Sequence, residues 1–270
     1  MNIGLIVIGD EILSGKREDK HLAKVIEVLG RRGLSLSWAR YVGDDPVRIT
    51  ADLKDAFASG DIVFCCGGIG ATPDDHTRQC AAAALEVTLE LHPQARALIL
   101  ERMRDVAHEK GLPFEPERHD NVHRLNMGVF PQGAQIIPNP YNKIAGFSVG
   151  TVFFVPGFPV MAWPMIEWVL DQRFADLRQA VTEERSLIVF GAMEASLTPL
   201  MLAIEAGHPG VKVFSLPSVD HPQWGAHIEL GVKGAASLLD AAYAEMRAGL
   251  NRLDAKIGPE LVRNSTAMRT

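Results

Sequence analysis

The sequence has few cysteines, no excess of basic residues and no long hydrophobic run. Its three cysteines, Cys65, Cys66 and Cys80, contain no C-x-x-C pair, and an odd, clustered set of this kind favours reduced thiols in the cytoplasm. The 27 basic and 33 acidic residues give a net charge of −6, so no general positive field attracts nucleic acid or anionic lipid. No apolar run approaches the roughly 20 residues that cross a membrane. We expect a cytoplasmic protein that binds neither nucleic acid nor membranes, and that begins without a signal peptide.

Several common catalytic motifs are also missing. The sequence has no G-x-S-x-G elbow for serine hydrolysis. The segment nearest to a Walker loop, residues 9–17, has one residue too many between its glycines and an arginine where Ser or Thr is required. Residues 68–73 do not match the dinucleotide-binding motif G-x-G-x-x-G, because proline stands where the last glycine is required. His119 and His123 are spaced to share a helix face, but no third metal ligand accompanies them, and we interpret them as surface histidines.

Strand-like and helix-like segments alternate along the first two thirds of the chain. Residues 3–8 form a continuous apolar run typical of a strand buried on both faces, and residues 61–66 form another strand-like segment. Residues 20–32 have helical apolar spacing, and Pro46 begins a predicted helix over residues 46–59. Alternating strands and helices predict a mostly parallel sheet in a three-layer α/β/α domain. Residues 127–147 are rich in turn residues, which predicts loops that face a ligand.

A second unit is predicted after a charged stretch. The order β, α, β, β, α from residue 186 onward predicts a small α+β domain. We therefore expect one domain over residues 1–174, a linker over 175–185, a second domain over 186–254 and a flexible tail over 255–270.

The most informative segment is residues 67–77, with the sequence GGIGATPDDHT, which lies between a predicted strand and a predicted helix. Its glycines allow a tight turn and a close approach of the backbone to a ligand. The amides at the helix start suit phosphate, and the carboxylates suit a divalent ion. In open α/β sheets, ligands bind at this end of a strand. The alternative is a βα turn that is capped by an aspartate and binds no ligand.

Ordered motifs in this chain resemble those of the molybdopterin-binding domain of the MoaB and Mog type. They are Gly9-Asp10-Glu11-Ile12-Leu13 with Gly15, Val42-Gly43-Asp44-Asp45, residues 67–77, Asn139-Pro140 and Pro156-Gly157-Phe158-Pro159. Within that family, residues 2–174 look most like the amino-terminal half of competence/damage-inducible protein A. The part after residue 186 is similar to its KH-like second domain, but it lacks the Gly-x-x-Gly loop of RNA-binding KH domains. The carboxyl-terminal amidohydrolase domain of longer relatives is missing, so nicotinamide-nucleotide deamidation is not expected.

The resemblance implies a site for a pterin or a nucleotide pyrophosphate. Some relatives are described as divalent-metal pyrophosphatases acting on ADP-ribose or FAD, and others bind or adenylylate molybdopterin. It implies Asp75, Asp74 and Glu11 as catalytic residues, and Asp10, Asp74 and Asp75 as ligands of Mg²⁺, Mn²⁺ or Co²⁺. The residues implied to contact the phosphate or orient the ligand are Gly67, Gly68, Gly70, Thr72, Thr77, Asn139 and Gly157. Relatives often form dimers or trimers, so a homo-oligomer is expected.

The chemistry of phosphoanhydride hydrolysis agrees with this site. The reaction requires neutralised phosphate oxygens and an aligned water, which metal ions held by carboxylates supply. Asp10, Glu11, Asp74 and Asp75 provide hard oxygen ligands on two loops that both follow strands. The alternative is that they are independent helix caps and solvated turn residues. Asp44 and Asp45 form a third acidic loop, in which Asp45 is the better N-cap before Pro46.

Two departures from the family pattern favour a different function. Residues 142–146 keep only the final glycine of the family's Gly-Thr-Ala-Pro-Gly stretch, and Lys143 brings a cation that either clamps a phosphate or reaches solvent. Met161 replaces an acidic residue that follows the Pro-Gly-x-Pro motif. If that acid is catalytic in relatives, the alternative is a non-catalytic molybdopterin carrier or an oligomeric scaffold.

Overall fold

The computed structural model describes residues 2–178 and 182–264, and these form two compact units. The first unit comprises Met1–Val28 and Ser35–Leu177, and the second comprises Leu29–Leu34 and Arg178–Thr270. In the described part of the chain, no helix is both long and apolar enough to cross a membrane.

The first unit contains most of the helices and two sheets. Its helices are α1 (Asp10–Leu13), α2 (His21–Gly30), α3 (Pro46–Ser59), α4 (Thr77–Leu85), α5 (Pro93–Glu109), α6 (His119–Arg124) and α7 (Pro159–Arg173). Its strands are β1 (Ile3–Ile8), β2 (Trp38–Val42), β3 (Ile62–Cys66), β4 (Leu89–Leu91), β5 (Val129–Pro131), β6 (Gln135–Ile137), β7 (Gly146–Val149) and β8 (Val152–Val155). Short 3₁₀ helices occur at Leu125–Gly128 and Ala175–Leu177.

The main sheet has the strand order β2-β1-β3-β8-β7-β6. The first four strands are parallel, and β7 and β6 extend the sheet by antiparallel pairing. Strands β1, β3 and β8 are buried along their whole length, as their continuous apolar sequences predict. The predicted α/β fold with a mostly parallel sheet is confirmed.

The turn-rich segment from residue 127 to 147 contains more regular structure than expected. It forms β5, β6 and the start of β7, and β5 pairs with β4 in a separate two-stranded sheet. Each of these strands has only three or four residues, which is too short for an alternating pattern to distinguish them from loops.

The second unit is an antiparallel sheet with two helices. Its elements are β9 (Glu183–Phe190), α8 (Glu194–Gly207), β10 (Lys212–His221), β11 (Gly225–Gly234), α9 (Ala236–Arg252) and β12 (Lys256–Asn264), and the strand order is β10-β11-β9-β12. Its core is formed by inward-facing residues such as Leu187, Leu230 and Met246. The predicted small α+β domain is therefore confirmed.

Two predicted boundaries of this unit were wrong. Residues 183–185, which we expected in the linker, are part of β9. Residues 256–264, which we expected in a flexible tail, form the edge strand β12, paired antiparallel with β9. A charged edge strand lacks a regular apolar pattern because water covers much of it, and its pairing partner is distant in sequence. Residues 265–270 of the predicted tail lie outside the described residues.

Candidate functional site

Three adjacent parallel strands end at one edge of the main sheet. Strand β1 lies between β2 and β3, and the loops that follow these strands begin at Gly9, Gly43 and Gly67. Because parallel strands share a direction, all three loops lie at the same edge. The topology thus brings together the acidic motifs that the sequence placed on separate loops.

Four carboxylates meet at this edge. The backbone amide of Asp44 donates to Asp10 Oδ1 at 3.1 Å, and the amide of Asp10 donates to Asp44 Oδ2 at 3.0 Å. Burial raises the pKa of Asp44, and the negative charges of Asp10, Glu11 and Asp74 raise it further, against the hydrogen bond from the Asp10 amide. We call Asp10, Glu11, Asp44 and Asp74 the acidic cluster. None of these residues forms an ion pair within residues 2–178 and 182–264.

Asp45, next to this cluster, has a different role. Its Oδ1 accepts a hydrogen bond from the amide of Val47 at 2.9 Å, and it is the N-cap of α3. The interpretation of Asp45 as a cap before Pro46 is confirmed. Asp44, which the sequence left as an optional third-loop ligand, belongs to the acidic cluster.

The raised pKa of Asp44 gives a prediction about stability. The pKa of Asp44 is higher in the folded protein than in the unfolded chain, so ionising this carboxyl lowers the stability of the folded state. Below the unfolded pKa of about 4 the group is protonated in both states and the loss is absent. Above the folded pKa the loss is complete. We expect Asp44→Asn, which keeps the acceptor for the Asp10 amide, to raise the melting temperature at pH 7 by about 1–3 °C and not at pH 3. Thermal melts at both pH values measure this. Asp45→Asn is the matched control and should change neither melt; no stabilisation by Asp44→Asn at pH 7 would contradict the prediction.

The Asp75 side chain braces the glycine loop from inside. Its Oδ1 accepts from the amide of Gly70 at 2.8 Å, and its Oδ2 accepts from the amide and the hydroxyl of Thr72 at 2.9 Å and 2.5 Å. A side chain at Gly70 would meet the same carboxylate at 2.5 Å. Asp75, predicted as a catalytic residue and a metal ligand, therefore has both oxygens directed at its own loop.

Thr77 is buried beneath the loop. Its hydroxyl donates to the carbonyl of Gly67 and its amide to the carbonyl of Gly68, each at 3.0 Å. Gly67 and Gly68 both have positive φ, and a Cβ would collide with the carbonyl oxygen of Ile8 at the first and with the Thr77 hydroxyl at the second. Thr77 was predicted to contact the ligand; the structure instead uses its hydroxyl to hold the loop, since the side chain is not exposed.

Three backbone amides of the glycine loop have no acceptor among the described residues. Asp75 takes the amides of Gly70 and Thr72, whereas those of Gly68, Ile69 and Ala71 donate to no acceptor among the described residues. Successive unpaired N–H groups form a concave site for an anion. We call these three amides the open amides. They lie at the strand end beside the acidic cluster.

Asn139 is a loop brace and not an exposed ligand contact. Its Nδ2 donates to Asn142 Oδ1 and to the carbonyl of Ile144, both at 2.9 Å, and its Oδ1 accepts from the amide of Tyr141 at 3.0 Å. The side chain is buried. These contacts fix residues 139–144, and the role of Asn139 in orienting a ligand stays a prediction.

The two departures from the family pattern are structural partners. Asn142 Nδ2 lies 3.3 Å from Met161 Sδ, so Met161 packs against the changed loop. Lys143 has a positive φ of 65° and bridges Glu101 at 2.7 Å and Asp105 at 2.6 Å on α5, and Asp105 first and Glu101 second raise the pKa of Lys143. Lys143 is therefore neither a phosphate clamp nor a free surface lysine.

His21 is a buried contributor to the site that sequence reasoning missed. Its Nε2 donates to the carbonyl of Gly157 at 3.0 Å, and its Nδ1 is buried without a hydrogen-bond partner. A Cβ at Gly157 would lie 3.4 Å from the Cα of Gly67, so Gly157, predicted to contact the ligand, packs against the glycine loop. A polar residue at the start of an amphipathic helix is the only sequence signal for His21, and it does not predict this contact.

A cavity of about 480 Å³ lies beside the glycine loop. Loop residues including Ala71 and Thr72 form one wall, and Arg78 and Gln79 of α4 form another. Residues from the short β4 and β5 strands and the 3₁₀ turn before β5 close it. The sequence did not indicate this cavity, because the strands that close it were not predicted.

The acidic cluster is not a preformed metal site. In the part of the chain that the structure describes, no three His, Cys, Asp or Glu side chains are arranged to hold a metal ion. His119 and His123, 3.3 Å apart between their Nε2 atoms, are exposed on α6. The prediction that Asp10, Asp74 and Asp75 hold a metal therefore depends on a ligand to complete the coordination.

Comparisons with known proteins agree with this architecture. Residues 4–176 match the family described as "Probable molybdopterin binding domain". A CinA-like protein of Syntrophotalea carbinolica is 31% identical over 205 residues, which are 72% of this chain and 46% of that protein. A CinA-like protein of Citrifermentans bemidjiense is 30% identical over 254 residues, 92% of this chain and 57% of that protein. The chain spans about half the length of these relatives.

A solved structure has a similar fold over part of the chain. It is the crystal structure of the protein CinA, of unknown function, from Thermoplasma acidophilum. The TM-score is 0.52 with 26% identity, and the match covers 63% of this chain and 98% of the other. With the family match over residues 4–176, the conclusion is that this chain belongs to the family of probable molybdopterin-binding domains and resembles CinA-like proteins.

Proposed function

We propose that the edge of the sheet binds the pyrophosphate group of a pterin or nucleotide and hydrolyses it with the aid of a divalent metal. One observation carries the proposal: the open amides of Gly68, Ile69 and Ala71 lie at the same strand ends as the acidic cluster. Open amides bind phosphate oxygens, and carboxylates beside them bind a cation that shares those oxygens.

The residues of the cluster suit Mg²⁺, Mn²⁺ or Co²⁺. Mg²⁺ usually takes only one or two protein carboxylates, and phosphates and water complete its coordination. Asp74 is exposed and Glu11 is half-buried, and the mutual repulsion that raises the Asp44 pKa would be relieved by a cation. When bound, the metal would neutralise charge on the phosphate oxygens. The protein's own contribution is the rigid loop, which Asp75 and Thr77 hold in the shape that leaves three amides open.

A non-catalytic molybdopterin carrier is the second candidate. Asp75, implied as catalytic, is directed at its own loop, and Met161 takes the place of an acid and contacts Asn142. A carrier needs only the open amides and a binding cavity. The two candidates differ in product formation, so a bound pyrophosphate ligand that is never cleaved would favour the carrier.

The cellular context is part of the same proposal. Cys65, Cys66 and Cys80 are buried free thiols, and burial raises the pKa of all three thiols, as expected for inert packing cysteines in the cytoplasm. We propose a cytoplasmic homo-oligomer, a dimer or trimer, whose partner is a small molecule and not nucleic acid or a membrane. Sedimentation of the purified chain measures the subunit count.

The proposal predicts that metal ions strengthen binding through the acidic cluster. We expect Mg²⁺ or Mn²⁺ to increase the affinity for inorganic pyrophosphate at least about tenfold, and Asp74→Asn combined with Asp10→Asn to remove this gain, because two of the metal's anionic partners are lost. Titration calorimetry with and without metal measures it, and phosphate release from ADP-ribose or FAD tests turnover. Asp45→Asn is the matched control and should keep the gain. Equal affinity with and without metal in the parent protein would refute the metal's role.

A further inference from the structure

The loop that joins α1 to α2 carries two cations that the pyrophosphate proposal does not use. Residues 14–18 of this loop are all exposed, and we call them the basic loop after Lys16 and Arg17. Neither cation forms an ion pair with a carboxylate in the described part of the chain. The acid that follows is already engaged, because Asp19 accepts from the first two amides of α2. The basic loop therefore offers two charges that no described carboxylate neutralises.

Backbone hydrogen bonds fix the basic loop beside the acidic cluster. The amide of Ser14 donates to the carbonyl of Asp10 at 2.8 Å. The amide of Arg17 donates to the carbonyl of Glu11 at 2.9 Å. Gly15 supplies the turn between them with a φ of 71°, and a side chain at this glycine would meet nothing within 4 Å. The loop is thus held at the edge of the sheet where β1 ends, and one side of it is open.

The basic loop and the open amides follow neighbouring strands. The basic loop comes after β1 and the open amides come after β3, and these two strands pair in parallel. Paired strands lie about 4.8 Å apart, a spacing comparable to the span of two linked phosphate groups. A diphosphate that has one phosphate on the open amides can place the other on the β1 side, where the basic loop lies.

A diphosphate needs a cation on that side, because the acidic cluster repels it. Burial raises the pKa of Asp44, and the charges that raise it further all come from carboxylates, so this edge carries a negative field. Two other cations of the first unit are already engaged. Arg78 is buried and interacts with Asp75, and Lys143 bridges two carboxylates of α5. The open amides are neutral, so an unpaired cation on an exposed loop is the group that offsets the repulsion.

We propose that Lys16 and Arg17 bind the second phosphate of a diphosphate whose first phosphate lies on the open amides. The inference rests on the proposed function and deepens it, because it names the residues that make the site selective for diphosphate over monophosphate. Both side chains are exposed and unpaired, so they lose little when they turn from water to a phosphate. Lys16 and Arg17 act as specificity-determining residues, and their contribution does not require the divalent metal.

Titration calorimetry of the full chain with inorganic pyrophosphate and with inorganic phosphate, both in a chelator, measures this selectivity. We expect the parent protein to bind pyrophosphate at least about tenfold more tightly than phosphate, the contribution of one charge-assisted contact. Lys16→Gln combined with Arg17→Gln should weaken pyrophosphate binding at least about tenfold and phosphate binding less than about threefold. Lys16→Arg combined with Arg17→Lys keeps both charges and should bind pyrophosphate within about threefold of the parent. If the double glutamine variant does not fold, each single glutamine variant should show a smaller loss in the same direction.

Salt separates an electrostatic role of the basic loop from a structural one. Raising the ionic strength from about 0.05 M to about 0.5 M should weaken pyrophosphate binding by the parent more than binding by the double glutamine variant, because salt screens exposed charges. Lys54→Gln is the matched control. Lys54 is exposed on α3, about 2.5 turns beyond the N-cap Asp45 and toward the opposite edge of the sheet. This variant should keep both the selectivity and the salt dependence of the parent.

The outcomes separate the two proposals. If the parent binds pyrophosphate and phosphate equally well, or if the double glutamine variant keeps the pyrophosphate affinity and salt dependence of the parent, the basic-loop inference is refuted and the pyrophosphate site stands. An equal loss in the charge-keeping variant would also refute it, because charge would then not be the cause. If inorganic pyrophosphate does not bind to the parent with or without metal, the proposed function is refuted and the inference falls with it.

Discussion

Replacing Asp75 with alanine is expected to weaken metal-free binding of inorganic pyrophosphate by about 100-fold or more. The carboxylate holds the amides of Gly70 and Thr72 and the Thr72 hydroxyl, and each such hydrogen bond contributes about 1 kcal/mol. Without it the loop loses the shape that leaves the other amides open, and a loss near 3 kcal/mol corresponds to about 100-fold. Calorimetry in the presence of a chelator measures the change, and turnover of ADP-ribose or FAD should also disappear.

Asp74→Ala is the matched control, because it removes the neighbouring carboxylate from an exposed position. In the chelator, Asp74→Ala should weaken pyrophosphate binding far less than Asp75→Ala, because Asp74 accepts from the Thr72 hydroxyl and its own amide and holds neither the Gly70 nor the Thr72 amide. With Mg²⁺ or Mn²⁺ present, Asp74→Ala should bind pyrophosphate more weakly than the parent protein does. If Asp75→Ala binds metal-free pyrophosphate as tightly as the parent, Asp75 does not shape the site.

Replacing Gly67 with alanine is expected to destabilise the first unit by about 2–6 kcal/mol. The residue has φ of 109°, a conformation that costs an L residue of order 1–3 kcal/mol, and a Cβ would collide with the carbonyl oxygen of Ile8 in β1. Overpacking against a rigid strand adds about 1–3 kcal/mol. The unfolding midpoint should fall by roughly 5–15 °C, followed by circular dichroism.

Gly133→Ala separates backbone strain from collision. Gly133 also has positive φ, of 82°, and a Cβ there would meet nothing within 4 Å. Its replacement should cost only the backbone strain, about 1–2 kcal/mol. Equal losses of unfolding free energy in Gly67→Ala and Gly133→Ala would show that the collision with Ile8 does not contribute. The glycine at position 67 would then be explained by ligand binding and not by packing.

The outcome for the glycine loop differs from both interpretations of its sequence. The ligand-free alternative was a βα turn capped by an aspartate. The structure shows that Gly67 and Gly68 are required by close contacts with Ile8 and Thr77, whether or not a ligand binds. Packing therefore accounts for the glycines. The ligand interpretation instead depends on which amides remain unpaired, and that follows from the hydrogen bonds of Asp75.

The hydrophobic pattern predicted the strands that are buried along their whole length. Strands β1 and β3 lie in the middle of the sheet with both faces covered, so their sequences are continuously apolar. The N-cap at Asp45, followed by Pro46, could also be predicted from the sequence, because a cap depends only on residues within one helical turn. The edge strand β12 and the short strands β4 to β7 could not be predicted from the sequence pattern, because pairing with other strands stabilises them.

The sequence by itself determined the alternation of strands and helices, the acidic and glycine-rich ends of the central strands, and through them the family. Only the tertiary structure decided what those residues do. It turned Asp75, Thr77 and Asn139 inward as braces, added Asp44 and His21, and opened a cavity beside Arg78. The physical reason is that a motif specifies residue types over a few positions, whereas a hydrogen-bond partner or a cavity wall is set by chains that meet after folding.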